Sequence, residues 1–311
     1  MARALRPTDR RASVVSGEED EGGRPLLNVT FYGVRGSTPC PCADNHRYGG
    51  NTACVVLESP GSEPIVLDLG TGLRFWGEAL PSDEPFRGAA LITHLHWDHV
   101  QGLPFFTPLH RAGARLEVYG PSEPGLDLEG AFATFMRQPY FPVGVADLAG
   151  EVAFHDVTEA DFAVGDAKVR AREVPHVGRT LGYRIEWDGR SVAYVSDHQQ
   201  PRDGGFAIAD SVAELCEGVD LLIHDAQFTQ AEFAEKPHWG HCTIDYAVHV
   251  AAEVGARRLV LFHHDPTHHD DELDRLLAYA RSLEAAASLD EVLCAHEGLT
   301  VSLGSPVTVP R

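Results

Sequence analysis

The stretch "LITHLHWDHVQG", residues 91–102, sets three histidines and an aspartate (His94, His96, Asp98 and His99) into six positions directly behind an apolar run. Imidazole nitrogen and carboxylate oxygen are ligands for zinc, and also for iron or manganese. Histidines at i and i+2 point the same way if the backbone stays extended. Asp98 and His99, after a turn, can address a second ion. One such cluster could be a solvated loop, but the placement recurs. His176 follows "REV" and Pro175, Asp197 follows "VAYVS", His224 and Asp225 follow "DLLI", and His263 and His264 follow "LVLF". Groups of this kind at strand ends, on loops held by a rigid sheet, are how sites are built. His46, His110, His155, His238 and His249 lack such a placement and read as ordinary core or surface residues.

The positioning elements follow from periodicity and turn signals. "LLNVTFYGV", "ACVVLE" and "PIVLDLG" read as short strands ending in glycine or polar residues, and "GLRFWGEAL" reads as a helix. "AALITH" is a continuous apolar run of strand length, expected to be buried on both faces. Residues 103–150 form a Pro- and aromatic-rich stretch with one helix, "LEGAFATFMRQ". Beyond it, "AKVRAREV", "TLGYRIEW", "SVAYVS", "VDLLIHD", "RRLVLFHH" and "GLTVSL" read as strands, the second and third joined by a "DGR" turn. "TIDYAVHVAAEVG" reads as an amphipathic helix stopping at Gly255, and "DDELDRLLAYARSLEAAA" as one long helix. Strands lead and helices follow in each half. The expected fold is an α/β one, an αββα sandwich of two mixed β-sheets with outer helices, occupying residues 26–311.

Composition narrows the function. The chain of 311 residues is 43% hydrophobic, enough for a substantial core. A formal net charge of −21 repels polyanions at long range, which disfavours structured RNA as a partner. It leaves a small phosphorylated substrate open, because bound cations reverse the local sign. No run reaches the ~18 apolar residues of a membrane span, and residues 1–25 lack the apolar core of a secretory signal and read as a disordered tail. A cytoplasmic location is expected, and a homodimer is compatible with it. The six cysteines are expected to be reduced thiols rather than a disulfide frame, including the "CPC" of Cys40 and Cys42.

Taken together, these residues resemble the metallo-β-lactamase-fold hydrolases, and within them the phosphodiesterase branch that includes ribonuclease Z and the phosphoribosyl cyclic phosphodiesterases. "THLHWDH" matches the H-x-H-x-D-H signature, and the later His, Asp and His fall in the family's order. "GVRGSTP", "RYGGNTACVVL", "LDLGTGL", "PHVGRTLGYRI", "VAYVSD", "LLIHDAQF", "GHCTIDYA" and "LVLFHHDP" look like this branch as well. The resemblance implies that His94, His96 and His176 hold one metal, that Asp98, His99 and His263 hold another, and that Asp197 bridges both. It places Asp225 and His241 beside the leaving group. The cofactors implied are two divalent ions, zinc foremost, with manganese or iron as alternatives. There are departures. His198 stands where the family usually has Thr, and Asp225 where ribonuclease Z usually has Glu. His264 adjoins His263, and the strand-then-His match favours His263. His268 and His269 read as surface residues or as partners of the ligands.

The implied chemistry is phosphodiester hydrolysis by a hydroxide bridging two ions roughly 3.5–4 Å apart, with Asp98 among the groups serving it. Protonation of the leaving alkoxide would fall to His241 paired with Asp225. Between His176 and Asp197 the chain has room only for a hairpin, where ribonuclease Z carries a long tRNA-gripping arm. A small cyclic or linear phosphodiester is therefore the expected substrate, such as a cyclic nucleotide or cyclic ribose phosphate. Phe105, Phe106, Phe132, Phe135, Tyr140 and Phe141 could wall its pocket or simply pack the insert. Arg35, Arg47 and Arg179 are candidates to meet phosphate. The alternatives are a thioester, lactam or other ester hydrolase of the same fold, an iron-dependent redox enzyme on this scaffold, and a nucleotide-binding sensor.

Overall fold

Where apolar, β-branched runs alternate with turn residues, the chain forms strands. In the computed structural model, which describes residues 26–304, these are β1 (Leu27–Gly33), β2 (Cys54–Glu58), β3 (Ile65–Leu67), β4 (Arg87–Leu91), β5 (Arg115–Gly120), β6 (Glu151–Asp156) and β7 (Ala160–Val164). They continue as β8 (Ala167–Glu173), β9 (Leu181–Trp187), β10 (Arg190–Val195), β11 (Leu221–Asp225), β12 (Arg258–Phe262), β13 (Glu291–Cys294) and β14 (Thr300–Leu303). The helices are α1 (Leu73–Ala79), α2 (Trp97–Val100), α3 (Leu128–Phe135), α4 (Asp210–Cys216), α5 (Gln230–Glu235), α6 (Ile244–Glu253) and α7 (Asp270–Ser282). The tail expected over residues 1–25, and residues 305–311, lie outside the described residues.

The strands form two seven-stranded sheets, in the orders β14-β1-β2-β3-β4-β5-β6 and β13-β12-β11-β10-β9-β8-β7. Both are mixed. In the first, β3 to β6 run parallel while β14, β1, β2 and β3 alternate. In the second, β10 to β13 run parallel and β7 to β10 antiparallel. The parallel strands point their C-terminal ends the same way, so the residues that follow them gather on one edge.

Buried side chains from both sheets fill the space between them, among them Phe31, Leu67 and Leu91 of the first and Tyr183, Tyr194, Ile223 and Phe262 of the second. The rings of Phe31 and Phe262 meet across that space at 6.0 Å. Helices α1 and α3 cover the outer face of the first sheet with Leu73, Trp76, Leu128 and Phe132. Helices α4, α6 and α7 cover the second with Leu215, Val248, Leu273 and Leu276. The layering is αββα, as the order of strands and helices implies. No helix among the described residues is long and apolar enough to cross a membrane. All six cysteines are free thiols.

Two readings need correction. The Pro- and aromatic-rich stretch contains a strand, β5, whose Leu116, Val118 and Gly120 are buried while the residues between them are not. Helix α7 is shorter than its composition suggests. Leu283 turns extended (φ −67°, ψ 139°), and Glu284–Ser288 is a separate 3₁₀ turn. Substituting Phe31→Ala, which empties the space between the sheets, is expected to cost about 3–5 kcal/mol. Phe75→Ala on the exposed side of α1 should cost under about 1 kcal/mol. Chemical denaturation of the two variants measures the contrast.

Candidate metal centre

The ends of β3 and β4 from one sheet meet the ends of β8, β10, β11 and β12 from the other. His94 and His96 follow β4, and the chain turns into α2 at Trp97, with His96 extended just before it (φ −63°, ψ 149°). His94 Nε2 lies 2.8 Å from His96 Nδ1, which lies 3.4 Å from His176 Nε2. Asp98 Oδ2 lies 3.1 Å from both His99 Nε2 and His263 Nε2. Asp197 stands between the two groups. Its Oδ1 is 3.8 Å from His94 Nε2 and 3.7 Å from His176 Nε2, while its Oδ2 is 3.3 Å from His99 Nε2 and 3.4 Å from His263 Nε2. The structure thus gathers all seven residues into two triads with one carboxylate facing both.

The remaining imidazole nitrogens show what such a cluster needs. His176 donates from Nδ1 to Gly240 O (2.7 Å) and His263 from Nδ1 to Gln227 Oε1 (2.8 Å). His99 Nδ1 pairs with Asp68 Oδ2 at 2.7 Å. The Thr93 hydroxyl is 3.0 Å from each Asp68 oxygen and 3.0 Å from His94 Nδ1, so it donates to the carboxylate and accepts from the imidazole. In each case the acceptor holds the proton on Nδ1 and leaves Nε2 a bare lone pair aimed inward. His99 Nε2 is buried without a hydrogen bond. Backbone and hydroxyl donors are few: Ser37 N to Asp98 Oδ2 and Ser196 Oγ to Asp197 Oδ2, both at 2.8 Å. A buried set of lone pairs and carboxylates is satisfied by cations, and this mixture of nitrogen and oxygen donors fits zinc, iron or manganese.

The charges agree. Burial opposes ionisation of Asp98, yet the imidazoles of His99 and His263 beside it hold it well below the usual carboxylate range. Asp197 is likewise opposed by burial and held low by His263, His99, His94 and His176. Burial lowers His94, His96 and His176, which favours the neutral, ligating form. At His99 and His263 burial is outweighed by the surrounding carboxylates, and both are raised.

The backbone is bent to build this wall. Ser37, Asp68 and His263 all adopt positive φ (60°, 58° and 59°), an unfavourable region for side-chain-bearing residues that structures hold mainly at functional sites. Gly36 has no room for a side chain, because a Cβ there would stand 2.4 Å from the His263 ring. At Gly240 (φ +96°) a Cβ would stand 2.5 Å from the His176 ring. Sequence reasoning missed Asp68, Thr93, Gln227 and Ser37. Asp68 did have a signal, an acidic residue directly after the strand "PIVL".

His241 and Asp225 also meet. His241 Nδ1 lies 2.8 Å from Asp225 Oδ2, which also accepts from His198 N at 3.1 Å, while Gln227 N reaches Asp225 Oδ1 at 3.0 Å. The His241 ring stacks on His263 at 5.0 Å. Helix α6 is capped by Thr243, whose Oγ1 accepts from Tyr246 N, so His241 is not its cap.

Other candidates fall outside the cluster. His198 is buried against His224, with Nδ1 3.0 Å from His224 Nε2. His264 bonds Ala295 O, His268 bonds Glu232 and His269 bonds Asn45. Arg35 does not face substrate. It is buried and donates to the carbonyls of Gly49, Asp265 and His268. Arg47 pairs with Asp270, Asp271 and Asp274, and Arg179 with Glu173 and Ser122 O. Phe106 and Phe132 are fully buried in the layer outside the first sheet and cannot wall a pocket.

Residues 68–264 match the model of the beta-lactamase superfamily domain. Among curated relatives, a protein named ribonuclease Z from Natronomonas pharaonis is 29% identical over 290 residues, covering 76% of this chain and 86% of its own length. Among solved structures, the metallo-beta-lactamase fold protein YhfI from Bacillus subtilis superposes with a TM-score of 0.66 at 19% identity, over 90% of this chain and 100% of that one. A diphosphatase from the PhnP family gives 0.64 at 23% identity, over 89% and 97%.

Asp68 orients His99 and, through Thr93, His94. Asp68→Ala is expected to weaken zinc affinity roughly 10–100-fold. Asp161→Ala, on an exposed edge strand, should leave it unchanged. Competition against a chromophoric chelator reads both.

Proposed function

The chain belongs to the beta-lactamase superfamily, and on that premise we propose that it is a metal-dependent hydrolase of small phosphodiesters, cyclic nucleotides or cyclic ribose phosphates among them. The observation that carries the reading is Asp197, with one oxygen toward each triad and His241 at the rim of the same cluster. His94, His96 and His176 would hold one divalent ion and Asp98, His99 and His263 a second, with Asp197 shared. Zinc is the first choice, with manganese or iron as alternatives. When bound, such ions supply a water of lowered pKa and positive charge for the phosphoryl oxygens. The protein's part is to keep Asp98 and Asp197 ionised and the imidazoles aimed.

Departure of an alkoxide needs a proton. Asp225 accepts from His241 Nδ1, which fixes the ring, and Nε2 would meet the leaving oxygen. His241 then acts as general acid, and Asp225 as its orienting partner.

A small substrate is favoured by the chain between His176 and Asp197. It forms only the β9–β10 hairpin, which turns at Asp188 and Gly189. The net charge of −21 supports the same choice. The second reading is RNA processing, favoured by the relative named ribonuclease Z.

A panel separates these readings. Metal-loaded protein is expected to contain about two equivalents of metal and to cleave cyclic phosphodiesters. It should leave a tRNA precursor, a thioester and a lactam untouched. Efficient trimming of the tRNA precursor would replace the small-substrate reading with the second one.

The general-acid role has its own test. p-Nitrophenolate leaves without a proton, whereas a ribose or alkyl oxygen does not. His241→Ala should therefore slow an alkyl or ribose diester about 10²–10⁴-fold and barely slow a p-nitrophenyl diester. Asp225→Asn should show the same selectivity, and the double variant should be little worse than either single one. Equal slowing of both substrates at unchanged metal content would remove His241 from that role.

A further inference from the structure

The cluster is mostly buried. Of its seven residues His96 alone is exposed. Three of the exposed large hydrophobic side chains adjoin residues of the site. Trp97, 65% exposed, follows His96. Val177, 45% exposed, follows His176. Trp239, 54% exposed, precedes Gly240, the residue whose carbonyl holds His176 and whose missing side chain makes room for its ring. His241 comes next in the chain. Two indoles and a valine thus stand next in the chain to residues of the site; of the six aromatic side chains expected to wall it, Phe106 and Phe132 are buried elsewhere, Phe135 lies against Trp97, and Phe105 and Tyr140 are exposed.

Exposed tryptophan carries a large unfavourable apolar surface, and here both rings are held rather than loose. Trp97 leans on Phe135 of α3 with centroids 6.0 Å apart. The Lys236 ammonium lies 5.1 Å from the Trp239 ring and 5.1 Å from the Phe228 ring, a cation–π pair that braces Trp239. Phe228 in turn meets the His241 ring edge-on at 5.6 Å. Rigid aromatic faces beside a phosphodiester site suit one chemistry above others, a planar heteroaromatic base joined through its sugar to the reacting phosphate. A bare ribose phosphate lacks the planar π face that stacks on them.

We propose that Trp97 and Trp239 form a stacking rim for the nucleobase of the substrate, which makes a nucleoside phosphodiester, rather than a base-free cyclic ribose phosphate, the preferred small substrate. This rests on the phosphodiesterase reading above for the reaction, but not for binding. The indoles recognise the base whether or not the bond is cleaved. Lys236, tied to Asp265 Oδ2 at 3.8 Å, stays with the rim as its brace.

The test uses metal-loaded protein and two readouts. In the first, adenosine 5′-monophosphate quenches tryptophan fluorescence and ribose 5-phosphate does not. Trp97→Ala and Trp239→Ala each weaken the nucleotide's binding, and Trp97→Phe restores most of it. In the second, the ratio of kcat/KM for an adenosine cyclic phosphate to that for ribose cyclic phosphate falls about tenfold in each alanine variant, through KM rather than kcat. Equal binding of the two monophosphates by the unsubstituted protein overturns the proposal, as does an unchanged ratio. If the alanine variants convert a dimer to a monomer in sedimentation while nucleotide binding is unchanged, the rim is an interface between copies and the proposal fails. If the unsubstituted protein cleaves neither diester but binds the nucleotide through Trp97 and Trp239, the phosphodiesterase reading fails while the rim stands.

Discussion

Lone pairs cannot be buried against lone pairs without something positive between them, and the architecture of this protein is arranged around that constraint. His94, His99, His176 and His263 each give their Nδ1 proton to an acceptor behind them and present Nε2 to a space shared with the carboxylates of Asp98 and Asp197. Water or packing could satisfy one such group. A converging set, mostly buried, asks for cations.

Holding that set in place requires both sheets. Asp68, at the end of β3, accepts from Thr93 and His99 on its own side and from the Tyr194 hydroxyl of β10 at 2.9 Å on the other. The Tyr183 hydroxyl of β9 reaches Ile92 O, just past β4, at 2.6 Å. These bonds cross the interior at the edge where the site lies, so the packing that joins the sheets also sets the distance between the triads. The positive φ values of Ser37, Asp68 and His263 are the local strain accepted for that geometry, held by the surrounding bonds.

Around this rigid centre the chain distributes different tasks. The depth of the site is ionic and tightly bonded, and Asp225 with His241 forms a separate pair at its edge. The rim is apolar and open, and differs in chemistry from everything beneath it.

Much of this was legible in the residues. Apolar runs followed by His or Asp located the strand ends, and the order of strands and helices implied two sheets with helices outside. The seven clustered residues and the Asp225–His241 pair are legible through the family resemblance of the motifs that carry them, most of which stand at strand ends. Local pattern does not say which neighbours a side chain will have. Only the folded chain placed His263 inward and His264 against Ala295, buried Arg35 among carbonyls, and put Phe106 and Phe132 into a core while leaving Trp97 and Trp239 exposed. Asp68 looked like one more acid after a strand. Its role depends on Tyr194, which is 126 positions away in the chain and hydrogen-bonded to it in space. Sequence determines which groups stand at the ends of strands, because periodicity and turn chemistry are local. Which lone pairs converge, and which rings remain exposed, is decided by contacts between sheets that no local pattern encodes.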